Sequence, residues 1–256
     1  MKWIRQRVLS GEILAGTFLN LGSNMTVEIA GRTGFDWLLI DMEHGAGDFP
    51  QLVHQLQAAD CTSAAPLVRI AWNEAPRFKR VLDLGPSGVM VPWVCSADEA
   101  RQAVAAMRYP PAGIRGAASF NRACGFGKDF EEYFSKASQN LLTVVQIESP
   151  QSVDHVDEIA AVDGVDVLFV GPLDLSVNLG APKKFDNPTY RMAISKVIAA
   201  CRKFGKAPGI LLWRIEQLEQ AVADGFTFIG LGSDGAAVAA AMNQWATAFD
   251  EFKKSG

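Results

Sequence analysis

Four polar clusters in this 256-residue chain each follow directly on a short apolar run. They are Asp41-Met42-Glu43-His44-Gly45, Arg69 within Val68-Arg69-Ile70, Gln146-Ile147-Glu148-Ser149, and Gly171-Pro172-Leu173-Asp174. Glu148 and Asp174 end successive runs. Two carboxylates so placed suit a hard divalent cation such as Mg²⁺ or Mn²⁺, which takes few protein oxygens and leaves positions for substrate. Each could instead cap the helix that follows, since Glu148 stands just before Ser149-Pro150. Arg69 carries a planar, permanently charged head suited to an anionic substrate or a developing enolate. An internal ion pair with Asp41 or Glu43 is the other reading, and the two are compatible. His44 is placed for proton transfer near neutral pH. His54 and His155 fall in helical stretches and read as helix-face residues. No His-x-x-x-His spacing occurs, which argues against zinc. The lysines lie at the termini, on helices or in loops, with Lys206 just ahead of an apolar run. Imine chemistry is therefore disfavoured, and metal-stabilised enolate chemistry is left. The Gly230-Leu231-Gly232-Ser233-Asp234 turn could cradle an anion at a helix start.

Such residues need a frame that brings run ends together. Eight apolar runs occur, at 13–19, 35–40, 66–70, 88–92, 141–147, 165–170, 208–212 and 226–231. Each has the length and the flanking Gly or Pro of a buried parallel strand. Helical stretches alternate with them. Ser96-Ala97-Asp98-Glu99 reads as a capping box, Ser149-Pro150 and Asn187-Pro188 as helix starts, and 236–252 as a long apolar final helix. This pattern predicts an α/β protein, a (β/α)8 barrel filling 1–256 as one domain, with catalytic groups at the C-terminal strand ends. An open doubly wound sheet is less favoured, because no Gly-x-Gly-x-x-Gly follows the first run. Two long connections, 109–138 and 171–187, are expected as functional loops.

Composition excludes other classes. With 49% hydrophobic and 20% charged residues and a net charge of −4, the chain is neither disordered nor suited to nucleic acid or an anionic membrane. No apolar run is long enough to span a bilayer. The start, Met1-Lys2-Trp3-Ile4-Arg5-Gln6-Arg7, lacks the apolar core of a signal peptide. Cys61, Cys95, Cys124 and Cys201 are far apart and form no Cys-x-x-Cys pair, as expected of free thiols in the cytoplasm.

The four clusters, together with Val91-Pro92, Tyr109-Pro110-Pro111, Gly113, Arg115-Gly116 and Gly232-Ser233-Asp234, occur in an order that resembles the HpcH/HpaI family of class II pyruvate aldolases. The resemblance spans nearly the whole chain. It implies a barrel enzyme that cleaves 4-hydroxy-2-keto acids to pyruvate, or a close analogue, and an aldehyde. It further implies Glu148 and Asp174 as ligands of a divalent metal (Mg²⁺, Mn²⁺ or Co²⁺), with Asp41 and Glu43 around them. Gln146, Gly171 and the backbone N–H groups of Leu173 and Asp174 would contact the substrate. Arg69 would stabilise the enolate, and His44 would take the C4-hydroxyl proton. The family's partner for that histidine matches Asp83, which sits before the fourth run and so at the wrong end of its own barrel. Asp83 is therefore expected to reach His44 of a neighbouring subunit or through an unusual loop. Family members often carry a small residue where Leu173 stands, so the pocket here is narrower. The implied assembly is a homo-oligomer, a hexamer built as a trimer of dimers, with the final helix packed on a partner. Two alternatives remain. A citramalyl- or malyl-CoA-type lyase would need a basic cluster for phosphates, which the loops lack. A non-enzymatic metabolite-binding barrel would not need the intact set of His44, Arg69, Glu148 and Asp174.

Overall fold

All eight apolar runs are strands in the computed structural model, which describes residues 2–255. They are β1 (Leu14–Leu19), β2 (Trp37–Asp41), β3 (Ala65–Arg69), β4 (Gly88–Val91), β5 (Leu142–Ile147), β6 (Val167–Val170), β7 (Ala207–Leu212) and β8 (Phe228–Ser233). Each pairs in parallel with the next, and β8 pairs with β1 to close the barrel. Closure leaves no open sheet edge, which settles the choice against the open doubly wound alternative.

Side chains alternate across a strand, so every second residue enters the barrel. Leu14 and Phe18, Trp37 and Leu39, Ala65 and Leu67, Leu142 and Val144, Val167 and Phe169, and Phe228 share one inner cluster. The intervening residues, among them Leu38, Ile40, Val68, Val145, Ile147, Leu168 and Val170, join the outer core beneath the helices. Trp37 fills the lumen and stacks on Phe228, with centroids 4.4 Å apart. A Cβ at Gly16 would overlap the Trp37 indole, so that neighbour must be glycine.

Helices α1 (Arg5–Leu9), α2 (Asn24–Arg32), α3 (Phe49–Asp60), α4 (Ala75–Leu82) and α5 (Ala97–Met107) accompany the first four strands. Ile4 and Val8 bury into the inner cluster, so α1 closes the N-terminal end of the barrel. The connection expected as a loop at 109–138 instead folds into a 3₁₀ segment, Arg122–Gly127, and α6 (Phe130–Asn140). Its apolar anchors Tyr133 and Ala137 face the core and override the loop-like composition ahead of them. After β5 come α7 (Pro150–Asp154) and α8 (Val156–Ala160), with His155 at their junction and not inside a helix. The 171–187 connection contains α9 (Pro172–Asn178). Helices α10 (Pro188–Phe204), α11 (Leu218–Asp224) and α12 (Asp234–Ser255) complete the chain. Ser96 caps α5 as expected, but the box is half-formed: the Glu99 carboxylate accepts from the Cys95 N–H at 2.6 Å. Beyond its first turn, helix α12 leaves its own barrel uncovered on that side and stands exposed. Val238, Met242, Trp245, Phe249 and Phe252, spaced at four and three residues, are all exposed. Among the described residues no helix is long and apolar enough to cross a membrane.

Candidate active site

The alternation that fills the barrel also builds the site. On β2 the inward set Trp37, Leu39 continues to Asp41; on β3, Ala65, Leu67 continues to Arg69; on β5, Leu142, Val144 continues to Gln146 and then Glu148. Apolar layers occupy the lower positions, and on these three strands the last inward position is polar. Asp41, Arg69, Gln146 and Glu148 are all buried there, each less than one-tenth exposed.

Buried charges need partners. Arg69 grips Asp41 with two bonds, Nε to Oδ1 at 2.9 Å and Nη2 to Oδ2 at 2.6 Å, and Nη1 lies 3.0 Å from Glu43 Oε2. Its guanidinium sits 5.3 Å over the Phe18 ring. Asp41 Oδ1 also accepts the N–H groups of Glu43 and His44, at 3.0 and 3.2 Å, and so shapes the turn after β2. Burial presses the Asp41 carboxyl upward, but its bonds to Arg69 prevail and hold it below the usual carboxylate range. The ion-pair reading of Arg69 is thus observed, at the C-terminal end of β3.

Glu148 is arranged differently. Its Oε2 accepts from Gln146 Nε2 at 2.9 Å and its Oε1 from the Trp93 backbone N–H at 2.7 Å. Burial drives its pKa up to about 7, and Glu43 and Asp174 add to the rise, against the Trp93 N–H and Arg69. Burial also raises Glu43. The helix-cap reading of Glu148 fails, because the start of α7 is capped reciprocally by Ser149 and Ser152. A Cβ at Gly171 would collide with Glu148 Oε2, so glycine lets that carboxylate lie against the end of β6. Asp174, in the first turn of α9, and Leu173 beside it are exposed at the rim. His44 is largely exposed, with Nε2 3.9 Å from Glu43 Oε1.

Glu43 is thus ion-paired with Arg69, Glu148 is tied to the same arginine through Gln146, and Asp174 opens α9 at the rim. The residues fit a hard cation: the donors are oxygens, and the proton that Glu148 retains to about pH 7 marks a place where positive charge is wanted. Among the described residues no group of three His, Cys, Asp or Glu side chains stands ready as a complete metal cage. A two-carboxylate site that leaves the remaining positions to substrate and water matches the way Mg²⁺ is usually held.

Asp83 and the turn before α12 lie outside this cluster. Asp83 ends α4 at the N-terminal face of the barrel, where Arg115 Nη2 approaches its Oδ1 at 3.3 Å, and within one chain it does not reach His44. The turn before α12 is filled by its own Asp234, which accepts from the Asn20 and Gly235 N–H groups and the Thr26 hydroxyl. That turn is thus a structural lock between β1 and α12 and not an open anion cradle. Trp93 was not legible as a site residue, because its contribution is a backbone N–H aimed by a local turn.

Comparison with known proteins agrees with this fold. The family model described as HpcH/HpaI aldolase/citrate lyase matches residues 14–241. The 2-keto-3-deoxy-L-rhamnonate aldolase of Escherichia coli O157:H7 is 38% identical over 241 residues, covering 94% of this chain and 90% of that protein. The 2-dehydro-3,6-dideoxy-6-sulfogluconate aldolase of Pseudomonas putida is 41% identical over 229 residues, covering 90% and 89%. The crystal structure of an HpcH/HpaI aldolase/citrate lyase family protein from Burkholderia cenocepacia J2315 superposes with a TM-score of 0.92 at 35% identity, covering 96% of this chain and 98% of the other.

Proposed function

The chain belongs to the HpcH/HpaI aldolase/citrate lyase family, and from that premise we propose that it is a divalent-metal-dependent aldolase. It reversibly cleaves 4-hydroxy-2-keto acids of the keto-deoxy sugar acid kind to pyruvate and an aldehyde. The observation that carries this reading is the buried Glu148 carboxylate at the C-terminal mouth, bonded to Gln146, which also meets the Arg69–Asp41–Glu43 ion pair. Glu148 and Asp174 hold the cation, which we take to be Mg²⁺, Mn²⁺ or Co²⁺. When bound, the cation polarises the 2-keto acid and makes its C3 carbanion accessible as an enolate.

The remaining roles belong to the chain. Gln146, fixed against Glu148, contacts the keto acid, and the backbone N–H groups of Leu173 and Asp174, beside Gly171, hold its carboxylate. In cleavage, His44 takes the C4-hydroxyl proton as the C3–C4 bond breaks. The electrons pass toward the former keto oxygen, where Arg69 stabilises the developing charge. Asp41 and Glu43 keep Arg69 in position. Asp83 pairs with His44 of a second copy, since its own barrel separates the two. The assembly is a homo-oligomer, a hexamer of three dimers, and the exposed apolar stripe of α12 docks on a neighbour. We place the enzyme in the cytoplasm. A panel of 4-hydroxy-2-keto acids assayed for pyruvate release tests the function: release is expected with Mg²⁺ or Mn²⁺ and none after exhaustive chelation. Full activity in the chelated enzyme overturns it.

A further inference from the structure

Trp93 follows β4 by two residues, and its φ of 56° places a bulky side chain in the left-handed region. There the Cβ crowds its own backbone, and glycine is the ordinary occupant. Among the described residues eleven glycines have positive φ, and of the other residues only Phe126 and Lys183 share it with Trp93. Glycine at 93 would offer the same N–H to Glu148 Oε1 without that crowding, so the 2.7 Å bond alone does not account for an indole. Core packing does not account for it either. The residue is 40% exposed and, among the described residues, belongs to no apolar cluster, aromatic pair or cation–π contact. A strained residue at a strand end whose own N–H touches the central carboxylate is a functional feature until shown otherwise.

We propose that Trp93 determines substrate specificity: its indole forms a wall of the subsite for the aldehyde-derived end, on which the C–H face of a polyhydroxylated carbon chain lies. The proposal rests on the aldolase reading above. Glu148 marks where the keto acid sits, and the backbone N–H bonded to that carboxylate places residue 93 at the same mouth, beside the part of the substrate that departs. An indole gives a broad apolar face at a small cost in rotamer freedom, while the hydroxyls on the other face of the chain stay free to meet water. The indole face carries no charge, so this wall selects by shape and dispersion, as suits an uncharged aldehyde.

The measurement is a ratio: kcat/KM for metal-dependent addition of pyruvate to a four-carbon trihydroxyaldehyde, divided by that for acetaldehyde. Losses from any disturbance of Glu148 are common to both aldehydes and cancel. Trp93→Gly and Trp93→Asn, which both tolerate the left-handed backbone, should lower the ratio at least about tenfold, and Trp93→Phe should keep it within about threefold of wild type. The proposal is overturned by an unchanged ratio in Trp93→Gly and Trp93→Asn, by equal falls in all three variants, or by failure of both small variants to fold. A wild-type enzyme without metal-dependent pyruvate chemistry would instead strike the aldolase reading itself.

Discussion

Replacing Arg69 with lysine keeps the charge but removes the fork. The guanidinium makes two bonds to Asp41, at 2.9 and 2.6 Å, and a third contact to Glu43 at 3.0 Å. An ammonium is a point charge and cannot span both carboxylates while also facing the mouth. Asp41 is 4% exposed, so an oxygen left unpaired there finds little water in exchange. Breaking a buried ion pair outright typically costs about 3–5 kcal/mol of stability. Lysine, which keeps part of the pairing, should cost less and leave a folded enzyme. The catalytic loss is governed by the charge that develops on the enolate oxygen. Losing one such donor elsewhere lowers kcat by roughly 10²–10³, or about 2.7–4 kcal/mol. Arg69→Lys should therefore lower kcat for pyruvate release about 10²-fold, and kcat/KM by the same factor, because the interaction strengthens only in the transition state. Steady-state kinetics on metal-loaded protein, with a melting curve to confirm folding, measures this. A folded variant with kcat within about threefold of wild type, or one whose loss is confined to KM, refutes the role assigned to Arg69.

Three further outcomes are expected. Burial, reinforced by Glu43 and Asp174, holds the Glu148 carboxyl at about 7 against an ordinary 4.5. The folded state then binds that proton more tightly than the unfolded chain. In metal-free protein its contribution is therefore full below pH 4.5 and lost as pH rises to about 7, a fall of roughly 3 kcal/mol. Urea melts across that window in a chelator should show the fall, and Glu148→Gln should flatten it; a slope indifferent to the substitution contradicts the assignment. His44→Ala and Asp83→Ala should each be nearly inactive alone, yet regain up to about one site in four when co-assembled at random, if the two residues meet across subunits. No recovery in mixed oligomers confirmed by mass would return Asp83 to a role within its own chain. Trp245→Glu with Phe249→Glu places charge on the exposed stripe of α12. It should shift sedimentation to a smaller species while the strands stay folded by circular dichroism, whereas an unchanged mass would show that the stripe is not an interface.

Much of the fold was legible because parallel barrel strands are buried on both faces and stand out as short apolar runs between glycines and prolines. Each of the eight runs overlaps an observed strand to within two residues at either end. Where the reading departed, the cause was tertiary. The segment at 109–138 looks like a loop from its prolines and glycines, yet Tyr133 and Ala137 find a core to bury against and fold its second half into α6. His155 sits in a helical stretch by composition but at a break between two short helices.

The identities of Asp41, Arg69, Gln146, Glu148 and Asp174, and their position just past apolar runs, were determined by the sequence. Strand parity then dictates which of them point inward, because a period of two is a local property of the backbone. Which charges pair is not a local property. Asp41 and Arg69 are 28 residues apart, and the bidentate contact between them exists only because β2 and β3 lie side by side in register. The elevated Glu148 carboxyl depends first on burial and then on Glu43 and Asp174, brought near it by closure of the barrel, and it persists against a Trp93 N–H turned inward by one strained residue. Separation of Asp83 from His44 is likewise a fact of the closed barrel, since helix α4 carries the chain back to the opposite end before β4 begins.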